Sequence, residues 1–201
     1  MFDRFRHLKC ISVLLLGISS SCATSPPLPR VLIQTEMGNI EVEVDTVRAP
    51  VTGMNFLKYV DGGLYGRGRF HRTVTMDNQP SDSIKIEVIQ ARMDASRADD
   101  GFPPIPLERT TITGIGHSDG AISMARGSPD SASSSFFICV GDQPSLDYGG
   151  HRNLDGQGFA AFGRVVSGMD VVRRIHESPA EGQTLDPPIA IVDVRRVGVP
   201  D

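Results

Sequence analysis

Two stretches hold the residues that could do chemistry: Phe70-His71-Arg72, and the block from Gly120 to Gly141, GAISMARGSPDSASSSFFICVG. Together they set a lone cation, Arg72, against an aromatic pair, Phe136-Phe137. A fixed cation facing an apolar floor suits a mostly hydrophobic substrate with one reactive amide. Other chemistries have less to stand on. His71, His117, His151 and His176 are scattered, with no paired spacing and no cysteine partners, so no metal site is expected. The serine-hydrolase elbow Gly-x-Ser-x-Gly does not occur. Gly62, Gly63, Gly66 and Gly68 lack the strand-first spacing of a dinucleotide site and read as loop punctuation. No cofactor is expected.

The elements that must position these residues are mostly short strands. Val31 to Thr35, the turn Met37-Gly38-Asn39 and the alternating Ile40 to Val44 predict a hairpin. Further strand-like runs are Ile84 to Ile89, Ala121 to Ala125, Phe136 to Val140, Phe159 to Val166 and Ile189 to Val197. Pro50 starts a helix that Gly62-Gly63 stops, with Val51, Met54, Leu57 and Val60 or Phe56 along one side. A second helix spans about Met169 to Ile175, with Met169, Val172 and Ile175 inward and Arg173-Arg174 outward. Many short strands, 21 glycines and 14 prolines indicate an all-β-dominated antiparallel barrel or sandwich. At 201 residues it is one domain.

The first two dozen residues are of another kind. Arg4, Arg6, His7 and Lys9 form a basic region before the continuous apolar run Ile11 to Ile18, followed by small residues. This predicts an export signal over residues 1–22, too short to span a bilayer. Ser19-Ser20-Ser21-Cys22 resembles a bacterial lipobox, which would leave Cys22 lipidated and the protein anchored at a membrane; cleavage after Ala23 is the rival. Residues 23–30, with Pro26, Pro27 and Pro29, form a stiff spacer before a domain over 31–199. Loss of residues 1–22 removes Arg4, Arg6 and Lys9 together with Asp3, taking the formal charge from −4 to −6. Such an acidic chain is a poor nucleic-acid binder. Cys10 and Cys22 fall in the signal, so Cys139 stands alone in the domain and no internal disulfide is expected.

An ordered series runs through the domain: Phe70-His71-Arg72, Val88-Ile89-Gln90, Ser123 to Pro129 (SMARGSP), Ser135 to Cys139 (SFFIC), Leu146-Asp147 and Phe159 to Val172. In this order the sequence resembles the cyclophilin family of peptidyl-prolyl cis–trans isomerases, from about Val31 to Val197. The resemblance implies a closed eight-stranded antiparallel β-barrel with two capping helices. It implies that Arg72 is the catalytic arginine and that Gln90 and Phe137 bind substrate, Phe137 as the floor of the proline pocket. Val88, Leu146 and Phe159 match wall positions, and Ala125, Arg126 and Gly127 match the strand edge that takes the substrate backbone. Proline-containing polypeptides are the implied partners; a monomer is expected.

Several positions depart from the family pattern. Ala91-Arg92 replaces a glycine pair, Ser135 a larger polar residue, and Ser145 a frequent aromatic. Thr75 to Lys85 lengthens the connection from Arg72 to Gln90. These departures also motivate a second reading, a proline-peptide binding module or chaperone with little turnover. The isomerase reading has a clear physical basis. Turning an X–Pro bond breaks amide resonance over a barrier of roughly 18–20 kcal/mol. In the twisted state the prolyl nitrogen regains its lone pair, and a fixed guanidinium stabilises it there more than in either planar form.

Overall fold

The computed structural model describes Met1 and residues 27–198. The rest of the expected export signal, Cys22, Ala23 and the start of the spacer lie outside the described residues. Nine strands form one sheet: β1 (Arg30–Thr35), β2 (Gly38–Val44), β3 (Arg69–Val74), β4 (Val88–Arg92), β5 (Ala121–Met124), β6 (Phe136–Cys139), β7 (Ala160–Ser167), β8 (Ala180–Glu181) and β9 (Thr184–Val197). Their order is β1-β2-β7-β5-β6-β4-β3-β9-β8, and β1 also pairs with β9. That last pairing closes eight antiparallel strands into a barrel, leaving β8 as a two-residue flap hairpinned onto β9.

Alternation along the strands fills the interior. Val31, Ile33, Ile40, Val42, Ile89, Ile122, Phe136, Ile138 and Phe162 belong to one core, with Phe56, Tyr65 and Phe70 packed ring to ring around Phe136. Two longer helices pack on the barrel: α1 (Pro50–Asp61) against β7 and β9, and, after the single turn α2 (Thr110–Thr113), α3 (Met169–His176) against β2, β3 and β4. In α3 the side chains of Val171, Val172 and Ile175 are buried.

Two local expectations are corrected. The apolar face of α1 is not the Val51-Met54 side: both are more than 40% exposed, while Phe56, Leu57, Tyr59 and Val60 are buried. Asn55 turns inward because its side-chain amide donates to the Ser133 carbonyl at 2.6 Å, which satisfies a buried polar group and rotates the helix accordingly. The run from Ile84 to Ile89 is strand only from Val88 onward. Before that, the Gln79 side chain accepts from Ile86 N at 3.2 Å and donates to Ile86 O at 2.8 Å. One amide side chain thus supplies Ile86 with the two bonds a neighbouring strand would have given.

Candidate active site

The Phe-His-Arg triplet lies on a β-bulge. The pairing of β3 with both β4 and β9 shifts register between Phe70 and Arg72. Strict alternation would send Arg72 to the same side as Phe70, into the core. The extra residue, His71, turns it to the outer face. Arg72 then pairs in register with Gln90, Gln90 with Phe137, and Phe137 with Ser123. Four residues from four adjacent strands stand in one row on the outside of the barrel. Phe136 goes inward to the main core, whereas Phe137 joins a second cluster with Val74, Ile86, Val88, Cys139 and Leu146, against which Ala125 and Phe159 pack.

A cavity of about 200 Å³ opens on this row. Ile86, Val88, Phe137, Leu146 and Phe159 give it an apolar lining, Ala125 contributes to one side, and Arg72, Gln90, Arg126 and Arg152 bring polar groups. Phe137 and Phe159 meet edge to face at 5.4 Å. A larger hollow of about 440 Å³ elsewhere is lined by Glu43, Asp45, Arg48 and Arg164 among others, without an aromatic wall. The smaller one carries the chemistry.

The guanidinium of Arg72 is half-buried and held on two sides. Its Nη1 donates to Gln90 Oε1 at 2.9 Å, and its Nε donates to Gln183 Oε1 at 3.0 Å. Burial, with Arg152 nearby, lowers its pKa from the usual arginine value. A guanidinium nonetheless remains charged in proteins through neutral pH. His71, directed to the other side, is brought down to about 4 by burial and by the charges of Arg92 and Arg72. It is neutral at pH 7 and lines a different hollow, with Arg69 and Arg92.

The floor has its own support. The His117 ring stacks on Phe137 at 5.8 Å and 13°. Its Nδ1 lies 2.7 Å from Asp147 Oδ1 and its Nε2 lies 2.9 Å from Ser123 Oγ. This has the residue types of a nucleophilic triad, but Ser123 is fully buried and no substrate reaches it. The three residues brace the floor.

Not every residue singled out by sequence meets the cavity in the same way. Gly127 is absent from its lining, and its N–H donates to Ser131 Oγ at 3.0 Å. Arg126 does line it, but the guanidinium is bound to both oxygens of Asp155, at 2.7 and 3.0 Å, and to the Gly158 carbonyl. It stacks over Phe159 at 5.0 Å, and holds the Asp155 carboxyl down to about 2. Its work is to fasten the 148–158 segment. Cys139 is buried and its thiol pKa is pushed far up by burial. Ile86, Arg152, Asn153 and Gln183 were not identified from the sequence. Ile86 could have been found as an apolar residue in a strand-like run; the other three sit in loops with no motif around them.

The family model for "Cyclophilin type peptidyl-prolyl cis-trans isomerase/CLD" matches residues 30–199, almost the whole described domain. The chain belongs to the cyclophilin-type isomerase family. It is 36% identical over 172 residues to peptidyl-prolyl cis-trans isomerase A of Dickeya dadantii, covering 85% of this chain and 83% of that one. It is 32% identical over 146 residues to peptidyl-prolyl cis-trans isomerase B of Escherichia coli K12, covering 72% and 82%. Among solved structures, a Cryptosporidium parvum cyclophilin superposes with a TM-score of 0.68 at 20% identity, covering 86% of this chain and 99% of that one. The same protein in the presence of the dipeptide Ala-Pro gives a TM-score of 0.65 at 20% identity, covering 83% and 97%. This cyclophilin is thus a peptidyl-prolyl cis–trans isomerase with the family's closed barrel.

Proposed function

We propose that this isomerase turns X–Pro bonds in polypeptides folding in the cell envelope, with Arg72 as the catalytic residue. The observation that carries the reading is the row Arg72, Gln90, Phe137 across β3, β4 and β6, opening on one apolar cavity. A pyrrolidine ring seated on Phe137 between Val88, Leu146 and Phe159 is held still, so the acyl side of the bond rotates. The twisted prolyl nitrogen then accepts from the guanidinium beside it. The apolar surroundings strengthen that charge-assisted bond. No bond is made or cut, so no nucleophile takes part. The Ala-Pro dipeptide, in whose presence the Cryptosporidium cyclophilin structure was obtained, is of the chemical class this cavity suits.

The envelope location is supported by the basic region and apolar run before Cys22. The mature protein is proposed to be a periplasm-facing monomer, either anchored through a lipidated Cys22 or released after Ala23. Intact mass of the protein recovered from cells separates these, since an acylated Cys22 and a free Thr24 terminus differ in both residue count and lipid mass. An intact Met1 terminus would reject export.

Activity is tested on a short X–Pro peptide by protease-coupled assay. Arg72→Ala is expected to lower kcat/KM by roughly 100- to 1000-fold, the usual cost of losing one aimed transition-state donor. Arg72→Lys should recover little of it, because the ammonium is mobile, more strongly hydrated and cannot span both glutamines. Equal rates for wild type and Arg72→Ala would reject this assignment.

A further inference from the structure

We infer that Gln183, in the turn between β8 and β9, is the positioning residue for Arg72, and that its role requires a neutral acceptor. The inference rests on the isomerase reading above. Gln183 Oε1 accepts from both Arg72 Nε, at 3.0 Å, and Arg72 Nη2, at 2.5 Å, while Gln90 takes Nη1. Gln90 alone would fix one corner of the planar group and leave it free to swing. Gln183 fixes the edge opposite, so the remaining N–H bonds have one direction.

Gln183 is itself over-determined. Its main-chain carbonyl accepts from Thr73 N at 3.0 Å, and its side-chain Nε2 donates to the Asn78 carbonyl at 3.2 Å. The Asn78 side chain donates to the carbonyls of Thr73 and Gly182, both at 3.0 Å, and accepts from Thr75 N at 2.9 Å. The lengthened segment after β3 therefore buttresses the turn that carries Gln183.

Charge decides why an amide stands here. Of the three arginines lining the cavity, Arg126 is paired with Asp155 and Arg152 with Asp82 at 3.1 Å. Arg72 has two amide oxygens as partners and, among the described residues, no carboxylate oxygen within 4.0 Å. Its charge is thus left for the substrate. A carboxylate at position 183 would keep an acceptor for Nε and Nη2 of Arg72, give up the bond to the Asn78 carbonyl, and neutralise the guanidinium.

The test uses the full chain with Gln183→Ala and Gln183→Glu, wild type and Arg72→Ala as controls, and one X–Pro peptide. Turnover, peptide affinity by titration, melting temperature and the Arg72 Nε–H resonance are measured. Gln183→Ala is expected to lower kcat/KM by roughly 10- to 100-fold. Peptide affinity should be retained, and the Nε–H resonance broadened or lost. In Gln183→Glu the resonance should stay sharp while kcat/KM still falls by about tenfold or more. Wild-type turnover with a sharp resonance in Gln183→Ala overturns the inference. Should that variant fail to fold, wild-type turnover in the near-isosteric Gln183→Glu overturns it instead. An inactive wild type would reject the isomerase reading itself, and an Arg72→Ala variant as fast as wild type would reject Arg72 as its catalytic residue.

Discussion

Between His71 and Arg72 the bulge in β3 separates two side chains that titrate far apart. Only arginines among the cavity's lining residues are ionisable, and they stay charged across the neutral range. Turnover is therefore expected to be flat from roughly pH 6 to 9, and a bell-shaped kcat/KM profile there would show a titrating group in the mechanism. Stability behaves otherwise. The imidazole of His71 is depressed to about 4 in the fold, against about 6.5 in an unfolded chain. Between those values the unfolded chain binds a proton that the folded one refuses. The contribution is complete above about pH 6.5 and is lost as pH falls toward 4. The melting temperature should drop through that window, and His71→Gln should make the drop shallower; equal slopes would assign it to other groups. Arg72, Gln90 and Phe137 were legible in the sequence because each sits inside a short motif. Gln183 was not, since it reaches Arg72 from 111 residues away in a turn without a recognisable pattern.

At the scale of elements, β6 places two neighbouring phenylalanines in different environments. Phe136 packs among Phe56, Tyr65 and Phe70 inside the barrel, and Phe137 faces the cavity. Period-two alternation made that division legible from sequence alone. Phe136→Ala should cost about 3–5 kcal/mol of stability, as expected for a large void in a close-packed core. In fully folded protein its effect on kcat/KM should be small. Phe137→Ala should do the reverse: a smaller loss of stability, because one side of the ring already borders an open cavity, and a clear fall in kcat/KM. Denaturant melts paired with turnover assays check both, and matching profiles for the two variants would undo the division. Where alternation was interrupted, reading failed or needed help. The bulge at His71 can be located only once the partners of β3 are known, and the strand-like run before Val88 has its Ile86 backbone bonded by the Gln79 side chain rather than by a strand. In α1, helical spacing alone did not choose the buried face; the tie from Asn55 to Ser133 did.

For the whole molecule the decisive pairing is β1 with β9, which joins strands from opposite ends of the domain: Arg30 lies against Val197 and Ile33 against Val194. Closure leaves none of the eight barrel strands with an unpaired edge, and it seats Val194 in the core. The eight-strand count came from the family resemblance; the composition alone left barrel and sandwich open, because closure depends on a contact between distant segments. It follows that the fold depends on that contact and not on where the chain starts. A circular permutant tests this. Residue 198 is joined to residue 29 by a short glycine linker, and new ends are opened between Pro103 and Pro104, in an exposed extended segment away from the cavity. It should melt cooperatively and keep kcat/KM within about threefold of wild type, since cuts at exposed loops are tolerated when the strand pairings survive. Removing residues 194–201 from the unpermuted chain should instead open the β1 edge, uncover the core and abolish the cooperative transition. A permutant that unfolds while the truncation stays folded and active would show that the β1–β9 seam is dispensable, and that the barrel is held by its other pairings alone.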